Sequence, residues 1–193
     1  MGDSKFEVPT FVEMIELVQG LNKATGRDVG IYPEFKSPSW HAEEGLPMEE
    51  ALLTILAEYG YEGPNATVYV QCFEPEPLKT MRFELETELP LVQLISGDEE
   101  YGAMVTEEGL DEVSTYANGI GPSKLRIEEN PELVTWAHQR GLVLHPWTFR
   151  ADQLPEQYST LDDELDQFYN IYGIDGLFTD FTDQAVQFLQ TEA

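Results

Sequence analysis

Short apolar runs alternate with helical patterns along nearly the whole chain, and this alternation restricts the folds that the chain can adopt. The runs that indicate strands cover residues 29–34, 67–72, 91–95, 119–121, 142–147 and 176–179. A helical pattern follows each run, at 48–59, 75–86, 107–116, 131–140, 161–171 and 183–189, and one further helix, 10–25, precedes them all. Strands separated by helices of this length form right-handed βαβ units, so we expect a parallel α/β fold.

The number of units indicates one particular α/β architecture. A (β/α)8 TIM barrel needs eight strand–helix units and usually about 250 residues. The 193 residues supply six units and a leading helix. This predicts a single partial TIM-barrel domain, 1–193, whose first two strands are missing. An open six-stranded sheet explains the same length equally well. No glycine-rich phosphate loop follows any strand, which disfavours a nucleotide-binding doubly wound sheet.

The charge balance of the chain is strongly acidic and excludes some classes of partner. Ten basic side chains stand against thirty-seven acidic ones, and the formal net charge is −27. A nucleic-acid backbone or an anionic membrane is therefore excluded as a general partner. No apolar stretch is long enough to insert in a membrane, and no signal-peptide pattern follows Met1. Cys72 is the only cysteine, so an internal disulfide is impossible.

The carboxyl ends of the predicted strands carry polar and aromatic side chains, where a barrel interior is otherwise apolar. They are Glu34, Lys36, Gln71, Phe73, Gln93, Gly121, His145, Trp147, Arg150 and Asp180. Glu34 and Lys36 are two residues apart and point the same way from their strand. At the carboxyl end of a strand such a pair can hold a metal ion with one group and an anion with the other, and a solvated ion pair is the alternative interpretation. We therefore predict a site for a small anionic ligand with an apolar or polyol face for Trp147.

Several of these segments resemble one known family. The segment Gly30-Ile31-Tyr32-Pro33-Glu34-Phe35-Lys36-Ser37-Pro38, followed by Trp40-His41, resembles the Pro-Glu-Ile-Lys strand of bacterial glycerophosphodiester phosphodiesterases, above all their periplasmic branch. Further similar segments follow in order: 68–73, 91–95, 117–122, 143–150 and 176–181. The resemblance extends from about Phe6 to Leu189, which is nearly the whole chain.

This resemblance implies a fold, an activity and roles for three residues. The family fold is the (β/α)8 barrel, and its members hydrolyse glycerophosphodiesters to an alcohol and glycerol 3-phosphate with calcium or magnesium. By resemblance, Glu34 is one of three carboxylate metal ligands, Lys36 contacts the phosphate and Trp147 packs on the glycerol. A hard divalent cation prefers carboxylate oxygens and polarises phosphoryl oxygens, which agrees with these roles. The periplasmic branch also implies a periplasmic or secreted location.

The chain departs from the family pattern at the catalytic residues. The His-Arg-Gly motif of the first strand, the Glu-x-Asp metal motif of the second strand and the His-Asp that follows are not found. In the family, the two histidines of these motifs perform the acid–base and nucleophilic work. We therefore assign no catalytic residue, and we expect weak binding of the divalent cation and no hydrolysis by this chain alone.

The remaining candidates leave two other interpretations open. Lys36, Arg150 and Trp147 would also suit a non-catalytic module that binds anions or polyols. An incomplete barrel exposes strand edges, so the chain is alternatively a self-associating homo-oligomer or the partner of a missing N-terminal segment. His41 lies beside the proposed mouth and is the histidine that we assign to substrate contact. We interpret His145 as a hydrogen-bonded core residue and Cys72 as a small buried hydrophobe.

Overall fold

The structure is a computed structural model that describes residues 7–192, so the outermost residues of the predicted 1–193 domain, including Phe6, lie outside it. The helices are α1 Phe11–Thr25, α2 Pro38–Glu43, α3 Glu49–Glu58, α4 Pro75–Lys79, α5 Glu107–Val113, α6 Lys124–Glu129, α7 Glu132–Gln139, α8 Leu161–Asp166 and α9 Thr182–Glu192. The π-helical segments Thr80–Glu84 and Gln167–Tyr172 extend α4 and α8, and Glu99–Val105 is a 3-10 helix. The strands are β1 Glu34–Phe35, β2 Val70–Cys72, β3 Leu91–Ile95, β4 Gly119–Pro122 and β5 Val143–Leu144.

All five strands are parallel and follow one another in the sheet in chain order, β1-β2-β3-β4-β5. A doubly wound sheet reverses its strand order at a switch point, whereas a barrel adds each new strand beside the last one. The sequential order is therefore that of a (β/α)8 barrel. The sheet of the described residues is not closed, so it forms an open arc of such a barrel.

The sixth predicted strand, 176–179, lies beside β5 and the segment that follows it: the Gly176 amide donates to the Leu144 carbonyl of β5 at 3.2 Å, and Phe149 and Thr179 form an isolated bridge. The Phe178 amide donates to the Pro146 carbonyl at 2.9 Å, and the Phe149 amide donates to the Phe178 carbonyl at 2.9 Å. Pro146 has no N–H, which removes one donor from this ladder. Six runs are therefore in the predicted places, although the last is not a regular strand.

The first strand is also shorter than predicted, and two helices were not expected. The run 29–34 forms a bridge at Ile31 and a regular strand only at Glu34–Phe35, because Pro33 between them lacks a donor. Helix α2 begins with Pro38 in its first turn, a position that suits proline. Helix α6 begins two residues after β4, ahead of the predicted helix 131–140.

The hydrophobic core lies between the sheet and the surrounding helices. Ile15 of α1, Leu56 of α3 and Leu110 of α5 are fully buried there, against strand residues such as Leu91 and Ile95. Helix α1 begins with a capping box of Thr10 and Glu13 and ends at Gly26 in the left-handed conformation. Among residues 7–192, no helix combines the length and apolar character that crossing a membrane requires.

The opposite face of the sheet is the barrel interior, and glycine makes room within it. A Cβ atom at Gly121 would lie 2.7 Å from Leu94 Cδ2 and 3.6 Å from Val92 Cγ1. A residue larger than glycine would therefore collide with the Leu94 side chain of β3. This space lies next to the carboxyl ends of the strands, where the candidate site is found.

Candidate active site

A cleft of about 280 Å³ lies at the carboxyl ends of the strands. Strands β1, β2 and β3 each contribute residues at or near their ends, and the loop after β5 and the sixth run complete the wall. The lining residues are Glu34, Lys36, Gln71, Phe73, Leu94, Trp147, Thr148 and Phe178. Three of the five predicted site residues, Glu34, Lys36 and Trp147, are thus brought together.

Glu34 and Lys36 project into this cleft from one strand end. The Lys36 Nζ atom lies 3.8 Å from Glu34 Oε1, and the lysine side chain is 82% exposed while that of Glu34 is 24% exposed. The period-two alternation of the strand accounts for their common direction. The ammonium group is therefore accessible to an anion, and it is held beside a carboxylate rather than buried.

The Trp147 ring is fixed in place on the wall of the cleft. Its indole Nε1 donates to the Gly121 carbonyl at 2.8 Å, and its backbone amide donates to the Pro122 carbonyl at 3.1 Å. Phe73 packs edge-on against the same indole, with ring centroids 5.8 Å apart. The wall therefore offers an aromatic surface that is rigid before any ligand binds.

Arg150 and His41 are not among the residues that line the cleft. The Arg150 guanidinium donates to both carboxylate oxygens of Asp152, at 3.0 Å each, and also pairs with Asp180. His41 lies in α2 and packs edge-on against Trp40, with ring centroids 4.8 Å apart. Their assignment to substrate contact stays a prediction.

His145 lies deeper, in an aromatic cluster of the barrel interior. Its Nδ1 atom is 3.0 Å from the Tyr32 hydroxyl, and Tyr69 packs edge-on against its ring. Burial lowers the pKa of His145, so the ring is neutral at pH 7. This confirms the interpretation of a hydrogen-bonded core histidine. His138 is elsewhere, with its Nε2 atom 2.9 Å from Asp175.

The side chains of Cys72 and Gln93 are held by contacts of the fold and do not line the cleft. The Cys72 thiol is buried, and burial raises its pKa to about 12, so it is not a nucleophile at neutral pH. Gln93 was expected at the site, but its amide faces Tyr116 and neighbouring backbone. Its nitrogen donates to the carbonyls of Cys72, Phe73 and Leu94, and its oxygen accepts from the Tyr116 hydroxyl at 2.9 Å.

The residues of the cleft do not form a complete metal site. Glu34 is the one carboxylate among its lining residues, and residues 7–192 contain no group of three or more His, Cys, Asp or Glu side chains placed to hold an ion. Glu74, in a neighbouring cavity, accepts hydrogen bonds from the Ser39 amide and hydroxyl. The sequence does contain Glu164-Leu165-Asp166, but it lies in α8, and Glu164 pairs with Lys124.

Comparison with known proteins places the chain in a family. A model of the glycerophosphoryl diester phosphodiesterase family matches residues 1–184. The chain belongs to this family. The glycerophosphodiester phosphodiesterases of Haemophilus influenzae and Treponema pallidum are 35% and 28% identical to it, over 97% and 95% of its length. Enzymes of the family generally depend on divalent cations.

A solved structure of the same family supports the barrel fold. A candidate glycerophosphoryl diester phosphodiesterase from Silicibacter pomeroyi superposes with a TM-score of 0.72 over 96% of this chain, at 24% identity. The family resemblance and the (β/α)8 class predicted from the sequence are thus confirmed. The chain spans 60% of the length of the Haemophilus and Treponema relatives and 57% of the Silicibacter chain.

Sequence reasoning missed part of the cleft. Leu94 and Phe178 belong to predicted strands, and alternation from neighbouring positions would have indicated their inward direction. Thr148 follows β5 in an irregular segment, where no periodic signal exists. Gln71 and Phe73 were recognised at the strand end, but no role was assigned to either of them.

Proposed function

We propose that the cleft binds glycerophosphodiesters as part of a phosphodiesterase site. Lys36 supplies the cation for the phosphate, and Trp147 packs against the carbon atoms of the glycerol. The observation that carries the proposal is the convergence of Glu34, Lys36 and Trp147, from two well-separated segments, on one cleft of about 280 Å³. The family match supports the same substrate class.

The proposal includes weak binding of a divalent cation but no chemical step that uses it. Glu34 would contribute one carboxylate to calcium or magnesium, both of which prefer oxygen ligands. Hard cations usually take six or more oxygen ligands, and the cleft provides a single carboxylate. We therefore expect weak binding of the cation by this chain, and we assign no chemical step to the metal.

We further propose that this chain by itself binds the substrate without hydrolysing it. Cleavage of a phosphodiester needs a group that transfers a proton at the reacting atoms. Within residues 7–192, no histidine lines the cleft, and Glu34 is paired with Lys36. A binding-only role for the chain agrees with both observations.

Calorimetric titration with sn-glycero-3-phosphocholine and with glycerol 3-phosphate tests the proposed binding. We expect both compounds to bind, and Lys36→Ala to weaken each by about tenfold, because a charge-assisted hydrogen bond to phosphate is lost. Lys23→Ala is the matched control, since Lys23 lies in the last turn of α1, away from the cleft. Equal affinity of the Lys36→Ala and Lys23→Ala variants would refute the role of Lys36.

The same samples distinguish binding from hydrolysis. Release of glycerol 3-phosphate from glycerophosphocholine is measured with calcium and with a chelator. We expect no release in either condition. Calcium-dependent release that disappears in Glu34→Gln would overturn the binding-only proposal and assign a catalytic metal to Glu34.

A further inference from the structure

One polar atom of the cleft has no partner in the protein. Gln71 is 6% exposed and lines the cleft beside Glu34, Lys36 and Trp147. Its side-chain oxygen Oε1 is buried, and no group within residues 7–192 donates a hydrogen bond to it. Buried side-chain oxygens are usually hydrogen-bonded, so this one calls for an explanation.

A second glutamine in the next strand shows how this fold treats an amide with a structural role. Gln93 is fully buried, its nitrogen donates to three backbone carbonyls, and its oxygen accepts from the Tyr116 hydroxyl. Gln71 and Gln93 lie in the paired strands β2 and β3. The unsatisfied Oε1 atom of Gln71 destabilises the fold relative to an apolar residue of similar size. Folding therefore does not account for a glutamine at this position.

The position of Gln71 indicates what its amide binds. Glu34 and Gln71 are register partners in the sheet, so the amide lies next to the carboxylate and close to the strand end that carries Lys36. An amide offers both a donor and an acceptor, and a half-turn of its terminal torsion exchanges them. A hydroxyl group, which also donates and accepts, is the matching partner. A second anionic group would be repelled by Glu34.

We propose that Gln71 hydrogen-bonds a hydroxyl of the polyol part of the ligand, beside the phosphate at Lys36. The inference rests on the proposed function, because it takes Lys36 as the phosphate contact. It makes Gln71 the residue that distinguishes a phosphate ester of a polyol from phosphate alone. The Trp147 and Phe73 rings, which meet edge-to-face on the same wall, would cover the carbon atoms of that polyol.

The test compares sn-glycerol 3-phosphate with inorganic phosphate by calorimetric titration. We expect Gln71→Leu to weaken binding of glycerol 3-phosphate by about tenfold, from one lost hydrogen bond. Binding of inorganic phosphate should change by less than about twofold, because Lys36 is untouched. Gln71→Met, which keeps the length of the side chain without its polar atoms, should give the same pattern and serves if Gln71→Leu folds poorly.

Thermal unfolding of the same proteins separates a ligand role from a structural one. Gln71→Leu should keep or raise the melting temperature, whereas the matched control Gln93→Leu should lower it, because four hydrogen bonds are lost. A fall in melting temperature as large as that of Gln93→Leu would overturn the inference and assign the amide to the fold.

The titrations also distinguish failure of this inference from failure of the proposed function. In one outcome, the wild type binds both probes and Gln71→Leu binds each of them as tightly as the wild type does. That result would leave the proposed function standing and overturn the role of Gln71. Equal weakening of both probes would also overturn it, since Gln71 would then contact the phosphate. Wild-type protein that binds neither probe would overturn the proposed function, and this inference with it.

Discussion

The interior histidine shows how neighbours set the chemistry of a single residue. His145 packs against Tyr32 and Tyr69, Phe178 packs on Tyr32, and a Cβ atom at Gly176 would lie 2.8 Å from the His145 ring. Burial disfavours the charged imidazolium and lowers the pKa of His145. The residue therefore helps to fill the barrel beneath the cleft as a neutral aromatic ring with a hydrogen bond to Tyr32.

This arrangement predicts a loss of stability in mild acid. The pKa of His145 is lower in the folded state than its unfolded value of about 6.5, so below that pH the unfolded chain binds more protons. The free energy of unfolding should fall as the pH drops below about 6.5, by at most about 1.4 kcal/mol per pH unit from this group. His145→Gln, which keeps an acceptor for Tyr32, should remove this component in urea titrations at pH 7 and pH 5.

The matched control for this experiment is His41→Asn, since His41 lies outside the interior cluster. It should retain the wild-type dependence on pH. If His145→Gln and His41→Asn show the same dependence as the wild type, the acid sensitivity does not arise from His145.

The individual site residues differ in whether the sequence alone could predict their positions. Alternation within a strand is a local rule, so the common direction of Glu34 and Lys36 followed from sequence alone. The pairing of Arg150 with Asp180 joins residues thirty positions apart and is decided by how the last two segments pack. The unpartnered oxygen of Gln71 is likewise visible only when all its neighbours are placed.

A buried ion pair connects α6, the helix that follows β4, to α8. The Lys124 ammonium, at the start of α6, lies 2.5 Å from Glu164 Oε1, and the Glu164 side chain is fully buried. The Lys124 amide donates to the Trp147 carbonyl, and its ammonium lies 5.0 Å from the centre of the Phe149 ring. Burial raises the pKa of Glu164, and the Lys124 ammonium opposes that rise. The pair therefore holds α8 against the strand end that carries Trp147.

Breaking this pair should destabilise the protein strongly. Lys124→Met leaves a buried carboxylate without a partner, which costs about 3–5 kcal/mol. Lys79→Met is the control, because Lys79 pairs with Glu76 and Glu112, whose side chains are 80% and 68% exposed. That exposed pairing should contribute about 1 kcal/mol or less. Urea unfolding measures both variants, and equal losses would contradict a special role for the buried pair.

The edge of the sheet is the other element with a consequence. Among the described residues, β1 pairs with β2 on one side and has no strand on the other. Exposed edges promote pairing with a further strand. Self-association of this chain, or pairing with an N-terminal segment, stays a prediction, as does assignment to the periplasmic branch of the family.

For the whole molecule, the dominant feature is its charge of −27. Like charges on a compact body repel one another and destabilise the folded state, and dissolved salt screens that repulsion. Among the described residues, five of the ten basic side chains form ion pairs: Lys36, Lys79, Lys124, Arg140 and Arg150. The acidic side chains in excess therefore repel one another across the surface.

We expect the protein to gain stability with salt. Raising sodium chloride from 0.05 M to 1 M shortens the Debye length from more than 10 Å to about 3 Å. A gain of about 1–2 kcal/mol would raise the melting temperature by roughly 2–8 °C. Replacing the exposed residues Glu43, Glu44 and Glu62 with glutamine should reduce this gain. A melting temperature that is independent of salt would show that repulsion among the acidic side chains does not limit the stability of the fold.

The sequence by itself determined the parallel α/β class, the order of the units, the family and the three residues that meet in the cleft. These properties depend on local periodicity and on short segments, which are encoded within a few neighbouring residues. The tertiary structure decided how many residues of each predicted run form a regular strand, where Arg150 and Gln93 direct their side chains, and that the buried Gln71 Oε1 atom lacks a partner. Those outcomes depend on atoms that are distant in sequence, because only packing brings them within hydrogen-bonding distance.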